Sequence, residues 1–241
     1  MNLDMFEEPA GGIVQLPHPP ISLAAFLIVE SALCAAWTLM RQKPRNNFNL
    51  DAADEDTVTH ELYERLYDEI FDKGVVAGFD RQVFATVRRE PKVRSFNREH
   101  LDKMPDLLIE FVDRPPGVMN SQYGLFIECK PVDSGHSAGV HYCGKGIIRF
   151  VKGEYAWAMT GALMVGYARA GYTILPKLSD ALRARPSEIP TLNHPYSCRH
   201  SKGDLMGERV HISEHARTFS YVETGRTAPA IMIRHLWLKR D

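Results

Sequence analysis

Two runs of β-forming residues, Asp106–Val112 and Tyr123–Lys130, constrain this chain more than any other feature. The first stops at Asp113-Arg-Pro-Pro-Gly117, the second at Pro131 and Asp133-Ser-Gly135. Proline cannot donate to a ladder and glycine tolerates positive φ, so both runs read as strands ended by turns. With a loop of about ten residues between them, the two strands most simply pair antiparallel. The start of the first strand then lies beside the end of the second, and Asp106 meets Glu128. Side chains alternate across a sheet, so Glu128 and Lys130 project from one face while Ile127 and Cys129 project from the other. Two carboxylates and an ammonium converge at one sheet edge, which is costly unless a metal ion or solvent compensates them. The plainer alternative is a solvated hairpin end carrying a surface salt bridge.

The chain has 241 residues, 44% of them apolar, enough for a proper core. Its net charge of −1 supplies no global field for a polyanion, so any such partner must be met by local basic clusters. One cluster is Arg81, Arg88, Arg89, Lys92, Arg94 and Arg98; another is Arg183, Arg185, Arg199, Lys202, Arg209, Arg217 and Arg226. Such runs are ordinarily solvated faces, but both fit phosphate contacts flanking a cleft. Cys34, Cys129, Cys143 and Cys198 lack framework spacing, so free thiols and a reducing cytoplasm are expected.

Ile21–Met40 is long and apolar, and Arg41, Lys43 and Arg45 follow it, as they would follow a membrane span. Glu30 sits in its middle, where a lone carboxylate in hydrocarbon costs roughly 2.5–3.5 kcal/mol or more. A helix buried inside a folded domain is the preferred reading, bounded by Pro17, Pro19 and Pro20 before and Lys43-Pro44 after.

Further along, Val58, Leu62, Leu66 and Ile70 recur at helical spacing over Asp54–Phe71, with acidic residues in the first turn. Val83–Val87 reads as a strand. Cys143–Met159 reads as a helix and Ala162–Tyr167 as a buried strand. Ile174–Arg185 is a second amphipathic helix, Pro186–Gly203 a loop, and His211–Arg217 and Ala230–Leu238 a terminal strand pair. The strand–helix–strand crossover after Lys130 argues for an α/β fold with a central mixed sheet flanked by helices.

Met104-Pro-Asp106 followed by Glu128-Cys-Lys130, within the order α-β-β-β-α-β, resembles the PD-(D/E)XK nuclease superfamily. The likeness covers about residues 50–170 and is specific at Pro105, Asp106, Glu128 and Lys130. It implies a nuclease-like domain over 50–241, its restriction endonuclease-like core at 50–170 followed by a C-terminal helix and strands, with a helical extension over 1–49 before it. It also implies a Mg²⁺-dependent endonuclease acting on DNA, with Mn²⁺ able to substitute and RNA left open. The setting it suggests is restriction or anti-phage defence, as a homodimer or a subunit of a larger complex. Asp106, Glu128 and the Cys129 carbonyl would hold the metal, and Lys130 would position and help deprotonate water. Many members add a glutamate from the first core helix. Glu55 is the first choice here and Glu61 the second, while the ordinary role of Glu55 is to complement a helix start. His141, Tyr142, Arg149 and Tyr155 are candidate supports from the crossover helix.

No Gly-x-Ser-x-Gly elbow is present, and Cys129 points off the site face, so nucleophile schemes lack comparable support. Cys198-x-His200 with His211-x3-His215 suggests zinc only superficially. Along one strand His211 and His215 stand ~13 Å apart, too far for a single ion. His211, His215 and Arg217 instead fit phosphate contacts, as Arg149 does, or simply face solvent. Trp157 and Trp237 are candidates for base stacking, although such residues usually pack in cores. Two further readings stand beside the nuclease: a non-catalytic nucleic-acid-binding or assembly subunit, and a protein tethered through residues 21–40.

Overall fold

Four helices and seven strands build one mixed sheet with helices on both faces. The computed structural model describes residues 14–45, 48–169, 171–198 and 210–241. Helix α1 is Leu23–Gln42 and α2 is Glu55–Glu64, which continues as a wider π-helical stretch, Arg65–Phe71. Strands β1 (Phe84–Arg89), β2 (Leu107–Phe111) and β3 (Leu125–Val132) follow. Helix α3 joins a π-helical part, Ala138–Ile147, to an α-helical turn, Ile148–Val151. Then come β4 (Gly161–Ala168), α4 (Ile174–Arg183), β5 (Thr191–Ser197), β6 (His211–His215) and β7 (Ile231–Lys239). The sheet order is β1-β2-β3-β4-β7-β6-β5.

Strands β3, β4 and β7 run parallel at the centre, and antiparallel pairs flank them. The central strands are buried on both faces, as parallel strands covered by helices must be. Ile127, Cys129, Leu163, Val165 and Leu236 pack beneath α1 and α2. On the other face, Phe126, Met164, Ile233 and Trp237 pack against α3 and α4. Gly166 is required by this packing: a Cβ there would stand 2.5 Å from the rigid Trp237 indole.

The expected hairpin is present, with Leu107 opposite Ile127. Two expectations change. Helix α3 covers Ala138–Val151 and not Cys143–Met159, because Ser137 accepts from the Val140 N–H to start it early and Gly153, at φ +67°, ends it. Tyr155 and Met159 therefore lie in the irregular segment beyond. The stretch expected as a loop, Pro186–Gly203, contains β5. Its residues are mostly polar and exposed, so no alternation announces a strand; pairing with β6 makes it one.

Helix α1 is long and apolar enough to cross a bilayer, yet Phe26, Val29, Leu33, Trp37 and Met40 are buried against the sheet. Glu30 is fully buried and takes both arms of the Arg234 guanidinium from β7, the second at 3.0 Å. Burial raises the Glu30 carboxyl, while Arg234 draws it back down. Removing one member of such a pair strands the other in a dry core. Glu30→Ala is expected to lower the unfolding free energy by about 3–5 kcal/mol in denaturant titrations. Glu30→Gln should recover only part of that loss.

Candidate functional site

The site forms where β2 stops and β3 continues. Leu107 is the last β2 partner of β3, so the ladder ends opposite Ile127. Beyond it the Cys129 N–H needs another acceptor and finds the Asp106 carboxylate at 2.6 Å. The Asp106 backbone carbonyl meanwhile accepts from the Glu90 N–H at 3.1 Å, which anchors its main chain to β1. In the opening left beside β3, Lys130 extends its ammonium toward α2. Nζ lies 2.6 Å from Glu55 Oε1, 2.9 Å from Glu128 Oε1 and 3.4 Å from Asp106 Oδ2. It also donates to the Cys129 carbonyl at 2.8 Å.

Glu128 is wholly buried. Its Oε1 receives Lys130 and, at 3.1 Å, Arg149 from α3; its Oε2 receives the Tyr155 hydroxyl. Burial, with Asp106 nearby, pushes the Glu128 carboxyl up to about 7 against the pull of Lys130 and Arg149. Three carboxylates face two cations here, and the driest of them keeps a proton most readily. Lys130 is held firmly protonated: its burial opposes the charge, but Glu128, Asp106 and Glu55 outweigh that penalty.

Two arginines from the ends of central strands place Glu55. Arg240, just past β7, donates to the Leu50 carbonyl at 3.0 Å and to the Ala53 carbonyl at 2.7 Å. Arg169, just past β4, donates to the Asp51 carbonyl. Asp54 then caps α2 by accepting from the Thr57 N–H at 2.8 Å, and Glu55 is the first helical residue. Neither arginine stood out in the sequence. The available signal was two arginines immediately following buried strands, where parallel sheets carry their ligands.

The four oxygens that the superfamily resemblance nominates, from Glu55, Asp106, Glu128 and Cys129, are those around the Lys130 ammonium. A hard-oxygen set gathered about a positive charge fits a divalent cation such as Mg²⁺ or Mn²⁺. Among the described residues no three Asp, Glu, His or Cys side chains form a ready-made cage; Lys130 stands inside the cluster instead. Glu61 is turned away and pairs with Arg65 at 2.7 Å.

Several other candidates lie elsewhere. His215, expected to meet phosphate or solvent, is fully buried and shares Ser213 with His235, at 2.7 Å each. Burial depresses its pKa to about 3. Arg217 is also buried and donates to the carbonyls of Pro229 and Trp157, so it ties loops together and does not reach a ligand. His211 is half-buried opposite His235, away from the carboxylates. Trp157 and Trp237 are core residues. Cys198 packs beside Arg234, on the opposite face of the sheet from the buried histidines, so it shares no centre with them. His200 lies outside the described residues. The basic runs are largely engaged: Arg81 with Asp72, Arg88 with Glu110, Arg98 with Glu223 and Arg185 with Glu188. Arg199, Lys202 and Arg209 fall outside the described residues.

Two measurements follow from this geometry. The folded chain keeps the Glu128 proton up to about pH 7, whereas an unfolded glutamate loses it near ~4.3. Between those values the folded state binds the extra proton, so stability without divalent cations should fall as pH rises through that window. Denaturant midpoints are expected to show this decline, and Glu128→Gln to flatten it. Separately, Arg240→Ala should weaken Mn²⁺ binding about 10–100-fold by releasing the loop before Glu55, with Arg240→Lys intermediate. An isotherm for Arg240→Ala matching the wild type would refute the clamp. No family model, curated protein or solved structure matches this chain.

Proposed function

We propose that the protein is a metal-dependent nuclease of the PD-(D/E)XK kind, hydrolysing phosphodiester bonds in DNA. The observation that carries this reading is the convergence of Glu55, Asp106 and Glu128 on Lys130, within 2.6–3.4 Å, at the end of a central strand. A chance salt bridge at a solvated hairpin end would not bury Glu128 completely, nor draw a third carboxylate from another layer. Such concentration of buried charge is the usual sign of a functional site.

Asp106, Glu128, Glu55 and the Cys129 carbonyl are the groups that would hold Mg²⁺ or Mn²⁺. Bound there, a divalent cation supplies positive charge to the scissile phosphate and lowers the pKa of its water. The chain's own residues do the rest. Tyr155 and Arg149 fix the Glu128 carboxylate, so it does not reorganise during reaction. The Cys129 N–H orients Asp106. With a divalent cation held there, Lys130 would place its ammonium beside the attacking water and steady the negative charge that develops on the phosphate. The near-neutral charge of the whole chain leaves local residues to grip the strand.

Purified protein incubated with supercoiled plasmid, linear DNA and RNA should cut in Mg²⁺ or Mn²⁺ and not in EDTA. Asp106→Ala, Glu128→Ala and Lys130→Ala should each reduce cutting by about 10²-fold or more. Glu55→Ala should be milder and partly rescued by more metal. Activity that persists in EDTA, or in all three severe variants, would overturn the metal mechanism.

A further inference from the structure

Helix α3 packs against β3, the strand that carries Glu128 and Lys130, and its sequence contains no Asp or Glu. Gly146 brings it close: a Cβ there would lie 3.5 Å from Lys130 Cγ. At one end of the helix Arg149 meets Glu128 at 3.1 Å and stays about a third exposed, at 36%. Toward the other, His141 sits beside His136, whose Nδ1 lies 2.9 Å from Asp133 Oδ1. The rings of His136 and His141 meet edge-on with centroids 5.0 Å apart. Arg149 therefore marks the Glu128 end of the helix and His141 the Asp133 end, and Lys145 stands between them in sequence. Lys145 is exposed, and among the described residues no ion pair engages it.

We infer that His141, Lys145 and Arg149 form a subsite for the phosphodiester backbone of a nucleic-acid strand, flanking the bond to be cut. The inference rests on the nuclease reading and names the path of its substrate. The chemistry is that of a polyanion: three cationic or N–H-donating side chains at intervals of four residues, with no acidic residue in the helix itself, Lys145 unpaired among the described residues and Arg149 paired with Glu128 yet still a third exposed. Eight residues of helix extend at most ~12 Å, which is about three nucleotides at ~3.4 Å each. Asp133, reached through His136, closes the row on the side of His141, so the strand should lie along α3 toward Arg149 and Lys152, which is also exposed.

Lys145 is solvent-facing, so its replacement leaves the core intact. The test is equilibrium binding of labelled duplex DNA, single-stranded DNA and single-stranded RNA to the full chain in EDTA, so that nothing is cut. Affinity should be read across a salt series for wild type, Lys145→Ala and Lys145→Glu. At ~0.1 M salt Lys145→Ala should weaken binding about tenfold, and Lys145→Glu more. The slope of log K against log salt should shrink by about 0.9 for a duplex or about 0.7 for a single strand. Mn²⁺ binding should be unchanged in both variants. Wild-type protein that binds none of the three strands, or Lys145→Glu that binds like wild type with the same slope, would overturn the subsite. A chain that binds with the expected slope but never cuts in metal would instead overturn the nuclease reading alone.

Discussion

One ammonium holds this structure's most expensive region together. Lys130 rises from a strand covered on both faces and compensates carboxylates drawn from three separate elements: α2, the start of β2, and β3 itself. Without it, the fully buried Glu128 and its neighbour Asp106 would repel one another in a poorly solvated space. The constraint reaches outward. β2 must stop where it does so that β3 presents an open flank, α3 must come close enough for Arg149 and Tyr155 to hold Glu128, and the loop before α2 must be pinned for Glu55 to arrive.

The second buried pair, Glu30 with Arg234, answers a different need. It lies on the far face of the sheet and fastens α1 to β7. A helix as apolar as α1 could pack in many rotations against a flat hydrophobic face; a bidentate pair in that face selects one of them. The two charged sites are thus unlike. Glu30 and Arg234 satisfy each other as a pair, whereas in the Lys130 cluster three carboxyl groups share one ammonium and the Arg149 guanidinium.

Much of this was legible in the residues because local rules dominate there. Proline and glycine bounded β2 and β3, and a period of two placed Glu128 with Lys130, so hairpin pairing alone set Asp106 beside Glu128. The convergence of Glu55 was legible only through family likeness, since its position depends on how α2 meets the sheet. What misled was polarity taken as exposure. His215 and Arg217 look like a solvent face when read along one strand, but β7 and the segment around Trp157 cover them, and Ser213 and backbone carbonyls take up most of their polar atoms. Such networks are settled by tertiary neighbours, and no local period announces them. The same holds for β5, whose residues lack strand alternation and whose partner β6 supplies the order.

The clamp on the loop before α2 ties assembly of the site to completion of the sheet. Arg240 follows β7, a strand that enters between β4 and β6, and it reaches a carbonyl 190 residues earlier in the chain. Contacts so distant in sequence form late, because the loop they close must be ordered first. Until β7 is seated, the loop before Glu55 lacks one of its two arginine anchors. A half-folded chain therefore carries these acids apart, and only the finished sheet gathers them into one charged cluster.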